Sequence, residues 1–415
     1  MEQLSELSFF KQRLSKIEPL LAIKQRHINS LLEITEAINF NMPILALIRI
    51  YESILLAQIG VQKILLIVKD EGDNWKCISS SSEQTQQLDI NALVAQYQHL
   101  QYVTALNDPA LEGFEYIIPV LHKKKPIGFS FIGNFASNEL DTIEEKLKMI
   151  QTITNIILVA NENKILFKNQ MEQMLLQKEL KVAADIQNLL IPSSLIDNEY
   201  VTAAAFYKPH KNVGGDYYDL IQTGENEIVF CICDISGKGV PAALLMANFQ
   251  ANLRAIVARG YNLDTTVTLL NKKVKEITQG EKFITLFIAK YNFSTRKLQY
   301  VNAGHNPPIS IYKESVNLLD KGCTIIGMFD ELPFLAVGEE MMPEGSKLIC
   351  FTDGLTEASN ESNELFELDR LITFIKDNNH LDVNQINADL VDRINLFKGE
   401  NDFDDDLTLL SLCFH

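Results

Sequence analysis

The sequence predicts an α+β protein in which a small mixed domain, a long helix and a larger strand-rich domain follow one another. Three observations predict that order. Apolar residues recur at steps of three and four through the first 58 positions, the period of amphipathic helices. No Pro or Gly occurs between Asn138 and Leu190, where helical character persists. From Tyr200 onward the pattern changes to short apolar runs divided by acidic turns, which is how strands read.

Leu4, Leu7, Phe10, Leu14, Ile17, Leu20 and Leu21 line one helical face, so residues 1–24 are expected to form an N-terminal helix. A second helical stretch is expected from Ile28 to Ile59, with Pro43 as its break or its start. Lys63–Lys69 and Trp75–Ile78 read as strands joined by a turn at Asp70–Asn74, followed by a polar loop at Ser79–Ser82. Tyr116–Leu121 and Pro126–Ile132 form a second hairpin around His122–Lys125. Residues 25–160 therefore run helix, hairpin, short helix, hairpin, helix. That order resembles a GAF domain, with a PAS domain as the close competitor. The resemblance implies a sensor that binds a small molecule or serves as a dimer platform. No specific ligand motif is present, so a purely structural dimerisation domain stands beside it.

Asn138 is a candidate N-cap, and Asp141, Glu144 and Glu145 suit the first turns of the helix that follows. Unbroken to Leu190, that helix would be about 75 Å long. A helix of this length in water usually pairs with another. Leu175, Val182 and Leu189 recur every seven residues, while Lys178, Lys181 and Asp185 interrupt the second seam position. A parallel coiled coil joining two copies is one reading of residues 161–192; a helix packed on its own domains is the other. Pro192 closes the segment.

Composition excludes some partners. With 37 basic and 54 acidic residues, the net charge of −17 disfavours nucleic acid and anionic membrane surfaces. Neither a signal peptide nor an apolar run near the ~20 residues of a membrane span is read, so a cytoplasmic location is expected. Cys231, Cys233 and Cys350 lie in apolar strand-like runs and are expected to be small buried hydrophobes in a reducing compartment.

Four segments of the C-terminal half carry carboxylates at strand ends. In Val213–Asp219, two glycines allow close backbone approach, and Asp216 and Asp219 follow. In Ile228–Gly239, an apolar strand delivers Asp234 into a glycine turn ahead of a helix beginning near Val240. The phosphate-loop spacing is absent there, so a nucleotide site is rejected. Lys347–Ala358 repeats the arrangement with Asp353, and an acidic run at Asp402–Asp406 opens the last strand. A buried carboxylate is costly unless it is paired or bound to a cation. Several converging carboxylates without His or Cys favour Mg²⁺ or Mn²⁺ over Zn²⁺.

The ordered set G-G-D-Y-Y-D, D-I-S-G-K-G-V-P-A-A, F-I-T-L-F, N-A-G-H-N-P-P, F-T-D-G-L-T-E-A and D-D-L-T-L-L resembles the SpoIIE/RsbU branch of the PPM metal-dependent phosphatases. It spans about Ala183 to the C-terminus, and Ala184–Pro192 resembles that branch's entry stretch. The resemblance implies a β-sandwich flanked by helices over residues 193–415, with two Mn²⁺ or Mg²⁺ ions in a cleft at one end. It implies a serine/threonine protein phosphatase acting on a phosphorylated STAS-type anti-sigma-factor antagonist, under control of the N-terminal domain. By motif, Asp234 would bridge the ions, the Ile235 carbonyl would add a ligand, and Asp353 and Asp405 would hold one ion. Asp216 would reach the site from the first motif, with Asp406 the less certain of the acidic pair and Asp219 weaker still. Asp234 and Asp353 would be the residues closest to the chemistry, since hydrolysis would use a water activated by the ions rather than a side-chain nucleophile. Lys238 stands where relatives outside the branch carry a His that acts as an acid, and no equivalent of their phosphate-binding Arg is found. His305 and Asn306 are candidates for such work, with a turn-organising role the alternative for His305. A catalytically silent scaffold of the same fold is the competing function.

Overall fold

Pro43, rather than any break near residue 24, ends the first helical stretch. In the computed structural model α1 runs unbroken from Glu2 to Asn39 through Pro19, and α2 (Ile44–Ile54) begins directly after Pro43 and continues into a short π turn, Leu55–Ile59. The structure describes residues 2–69, 74–81, 101–102, 111–123, 125–136 and 142–415. Residues 70–73 of the expected Asp70–Asn74 turn, the short helix between the hairpins and the candidate cap Asn138 with Asp141 lie outside the described residues, as do the side chains of Leu4, Leu7 and Phe10. Among the described residues no helix is long and apolar enough to cross a membrane.

The chain divides into two compact units, Met1–Met174 and Leu175–His415. In the first, strands β1 (Val61–Lys69), β2 (Trp75–Ser80), β3 (Gln101–Tyr102), β4 (Tyr116–His122) and β5 (Lys125–Phe135) form one antiparallel sheet in the order β2-β1-β5-β4-β3. Both expected hairpin pairs are present, and β1 and β5 meet at the centre, Leu65 opposite Phe131. One face packs Ile64, Leu66, Ile118 and Ile132 against α2 and the helix that starts at Ile143. The other buries Leu65, Ile67, Phe129 and Phe131 with Leu111 and Phe114. This alternation is the period-2 consequence of strand geometry. Inside the first face the Tyr51 hydroxyl lies 2.7 Å from Ser130 Oγ and accepts from Thr154 Oγ1 at 3.0 Å.

Helix α3 extends from Ile143 to Asn188, and the division between units falls within it. Of the seven-residue repeat read from sequence, Leu175 and Val182 are exposed on it and Leu189 is exposed one residue past its end.

The second unit stacks two sheets. One contains β7 (Tyr217–Gln222), β8 (Glu227–Ile235), β9 (Ile284–Asn292), β10 (Lys297–Ala303) and β13 (Gly322–Cys323), with β14 (Gly338–Met341) also paired to β10. The other runs β12-β11-β15-β16-β6, from Ser315–Leu318, Ile309–Tyr312, Lys347–Phe351, Leu407–Phe414 and Val201–Lys208. Alternation along β15 shows how they pack. Leu348 and Cys350 enter the core shared with β8 and β9, whereas Ile349 and Phe351 enter a second core. That second core is closed by α7 (Glu367–Asp377) and α8 (Val383–Lys398), while α4 (Val240–Val257) and α5 (Leu263–Thr278) cover the first sheet. Cys231, Cys233 and Cys350 are buried free thiols, as their strand setting predicted.

Candidate metal centre

Antiparallel register gathers the carboxylates. β7 pairs with β8 so that Tyr217 faces Cys233, and one step further places Asp216 across from Asp234. In the other sheet β15 pairs with β16, Phe351 facing Leu409, so Asp353 leaves one strand where Asp405 and Asp406 enter the next. Asp353 also opens the short helix α6, Asp353–Thr356. The two sheets are tied together at this end. Asp216 Oδ2 accepts from Thr352 Oγ1 at 2.8 Å and from Thr408 Oγ1 at 2.5 Å, all three residues being buried.

Glycine makes the approach possible. A Cβ on Gly354 would lie 2.0 Å from the carbonyl oxygen of Asp406, and one on Gly215 would lie 2.8 Å from that of Ile235. Any larger residue would push the loops apart. The Ile235 carbonyl thus lies beside the G-G-D turn.

Charge is poorly balanced here. Burial and the charges of Asp353, Asp405 and Asp406 push Asp234 up to about 7, against a hydrogen bond with Asp216 that lowers it. Burial, and then Asp234, raise Asp216 well above the usual carboxylate range. Asp353 is raised by burial and by Glu357 and Asp405, with Lys238 offsetting part of this. Lys238 Nζ lies 2.9 Å from Asp405 Oδ2 and donates to the Asp404 carbonyl at 2.5 Å. Among the described residues, no three His, Cys, Asp or Glu side chains are grouped closely enough to cage an ion. The residues still fit one. An all-oxygen donor set whose members repel each other, with a backbone carbonyl beside it, suits a hard divalent cation, which would relieve the repulsion. Asp216, Asp234, Asp353 and Asp405, with the Ile235 carbonyl, are the groups that would hold it.

The remaining candidates separate by their partners. Asp406 accepts from the backbone amides of His210 at 2.7 Å and Gly215 at 2.6 Å, so its oxygens brace two loops. Asp219 is fully buried and receives Arg254 Nε at 2.7 Å, Arg254 Nη2 at 2.8 Å and the Tyr217 hydroxyl at 2.5 Å. Those donors leave it a structural ion pair. His305 is buried, its Nδ1 2.9 Å from Thr285 Oγ1 and its amide donating to Asn302 Oδ1 at 2.8 Å. That is the turn-organising arrangement. Asn306 is half-buried beside it.

Sequence reasoning missed three contributors. Thr352 and Thr408 were hidden in the strand ends, although strand period would place Thr408 on the same face as Leu410. Gln187, near the end of α3, donates to the Gly214 carbonyl at 2.7 Å and accepts from the Gly214 amide at 3.2 Å. Only its place in a motif-like stretch hinted at a role.

Residues 224–415 match the family model described as Stage II sporulation protein E (SpoIIE). This segment is a SpoIIE-family domain. The chain is 28% identical over 196 residues to the phosphoserine phosphatase RsbU of Bacillus subtilis, covering 46% of this chain and 58% of that protein. A 25% identical match over 198 residues to the phosphoserine phosphatase RsbP of the same organism covers 46% and 48%. The chain spans about half the length of the curated relatives it matches. Among solved structures, the SiaA-PP2C domain of Pseudomonas aeruginosa superposes with a TM-score of 0.54 at 21% identity, over 59% of this chain and 99% of that domain. The SpoIIE domain therefore has the PP2C fold, the sandwich that the motifs implied. Asp216 and Gln187 precede the matched residues; Asp216 accepts from Thr352 and Thr408 within them, and Gln187 bonds to Gly214, which also precedes them.

Proposed function

We propose that this chain is a metal-dependent serine/threonine protein phosphatase that hydrolyses phosphoserine or phosphothreonine on a regulatory protein. The observation that carries this reading is that Asp234, hydrogen-bonded to Asp216, lies in the fields of Asp353 and Asp405 at one end of the sandwich. The relatives RsbU and RsbP, named phosphoserine phosphatases, support it. Two Mn²⁺ or Mg²⁺ ions there would supply an activated water and neutralise charge on the phosphoryl group. The chain's own part is to hold that chemistry in place. Asp234 faces both sheets' carboxylates, Asp353 and Asp405 meet it from the second sheet, and Asp216 is oriented by two threonine hydroxyls. A cleft of about 370 Å³ beside the G-K-G turn, lined by Ser236, Leu244, Asn248, Ile277 and Lys282, suits the segment flanking a phosphorylated residue.

The substrate we favour is a STAS-type antagonist, and the first unit is read as a GAF-like sensor. The exposed Leu175 and Val182 on α3, with the exposed Leu189 just past its end, support a homodimer through that helix. The Gln187–Gly214 hydrogen bonds support control of the site by the end of α3. The test is phosphate release from a phosphorylated STAS protein with Mn²⁺ and with Mg²⁺. Release that stops in Asp234→Asn is expected. Metal binding without any release would instead favour the silent scaffold.

A further inference from the structure

Lys238 sits between two glycines in the left-handed region, Gly237 at φ +101° and Gly239 at φ +74°. Nothing lies within 4 Å of where a Cβ on Gly239 would be. The loop is open on that side, and glycine allows it to swivel. The side chain, about half exposed, is turned toward Asp405, and it also lies in the fields of Asp404, Asp406 and Asp353. An ammonium therefore occupies the flank of the carboxylate that the phosphatase reading assigns to a divalent ion. Both cations cannot hold the same oxygen at ligand distance, because like charges so close repel strongly.

We propose that Lys238 is an exchangeable cation of this centre: it neutralises Asp405 when metal is absent, competes with the metal for that carboxylate, and on displacement becomes the positive group that binds the phosphoryl oxygens. The second step follows from the first. An ammonium freed beside bound divalent cations is repelled unless an anion lies between them, and the phosphoryl group is the anion this site takes. Lys238 would then do the work of the phosphate-binding arginine that this sequence lacks. The inference rests on the phosphatase reading for its substrate, but its test does not require turnover.

Full-length protein is titrated calorimetrically with Mn²⁺, and the Mn²⁺-loaded protein is then titrated with inorganic phosphate. Lys238→Met is expected to bind Mn²⁺ more tightly, on the order of fivefold for a half-exposed pair at low salt. It is expected to bind phosphate on the order of tenfold more weakly. Lys238→Arg is expected to keep most of the phosphate affinity. Lys282→Met serves as a control for general charge, because the Lys282 ammonium lies against Gly237 on the same loop. Its Mn²⁺ affinity is expected to stay within about twofold of wild type. Unchanged Mn²⁺ affinity or unchanged phosphate affinity in Lys238→Met overturns the assignment, and so does an equal Mn²⁺ effect in Lys282→Met. If these affinities shift as expected while no phosphoprotein is hydrolysed, the phosphatase reading fails and the role of Lys238 stands.

Discussion

The Thr408 hydroxyl donates to Asp216 Oδ2 at 2.5 Å, so a residue at the start of the last strand of one sheet orients a carboxylate at the edge of the other. Replacing Thr408 with Val keeps the shape and removes the donor. A buried acceptor that loses one of its partners costs about 1–3 kcal/mol. Thr408→Val is expected to lower the denaturant midpoint by a corresponding amount and to weaken Mn²⁺ binding, both measurable on the purified protein. Unaltered stability and metal affinity would show that Thr352 alone holds Asp216.

Asp234 lies among like charges, and that gives its substitution two opposite effects. Asp234→Asn removes one charge from the cluster, so the metal-free protein is expected to be as stable as wild type or more so. Wild type saturated with Mn²⁺ at about 100 times its dissociation constant gains about 2.7 kcal/mol by linkage. The variant is expected to lose that gain together with activity. Thermal melts with and without Mn²⁺ check both halves.

Gln187 reaches the G-G-D turn from α3 with two hydrogen bonds to Gly214. Gln187→Ala is expected to reduce kcat and Mn²⁺ affinity about tenfold, with a loss of stability of about 1–2 kcal/mol. If activity per folded molecule is unchanged, the contact serves packing only and cannot carry control from the helix.

His305 supplies a pH dependence. Burial pushes its imidazole from 6.5 down to about 4, against a hydrogen bond with the Phe351 backbone that raises it. A folded-state value below the unfolded one means the unfolded chain takes up the proton first. Stability from the neutral, buried form is therefore full above about pH 6.5 and declines as pH falls toward 4. The loss reaches on the order of 3 kcal/mol. His305→Asn is expected to flatten that part of the stability–pH curve relative to wild type in urea unfolding across pH 4–7.

The hairpins of the first unit and the strand ends of the second were legible because each rests on a local pattern. Apolar runs end in Asp-Gly at Asp353, and Asp234 is followed by the Gly237 and Gly239 turn. The continuity of α1 from Glu2 to Asn39, past residue 24, was not legible from apolar spacing alone. Asp406 reads like Asp405 in the chain, being one more acid in a run. Only the amides of His210 and Gly215, nearly two hundred residues away, set it apart as a brace.

By itself the amino-acid order determined the elements and the carboxylates at strand ends, because hydrophobic period, glycine and acid placement act over a few residues; the sandwich class came from the resemblance of the ordered motifs. Tertiary structure decided which of those acids share an environment. It turned Asp219 to Arg254, Asp406 to backbone amides and Asp216 to two threonines, and it left Asp234, Asp353 and Asp405 facing one another across the end of the sandwich. The physical reason is that a carboxylate's role depends on the donors and charges within a few ångströms, and strand pairing brings those from distant parts of the chain.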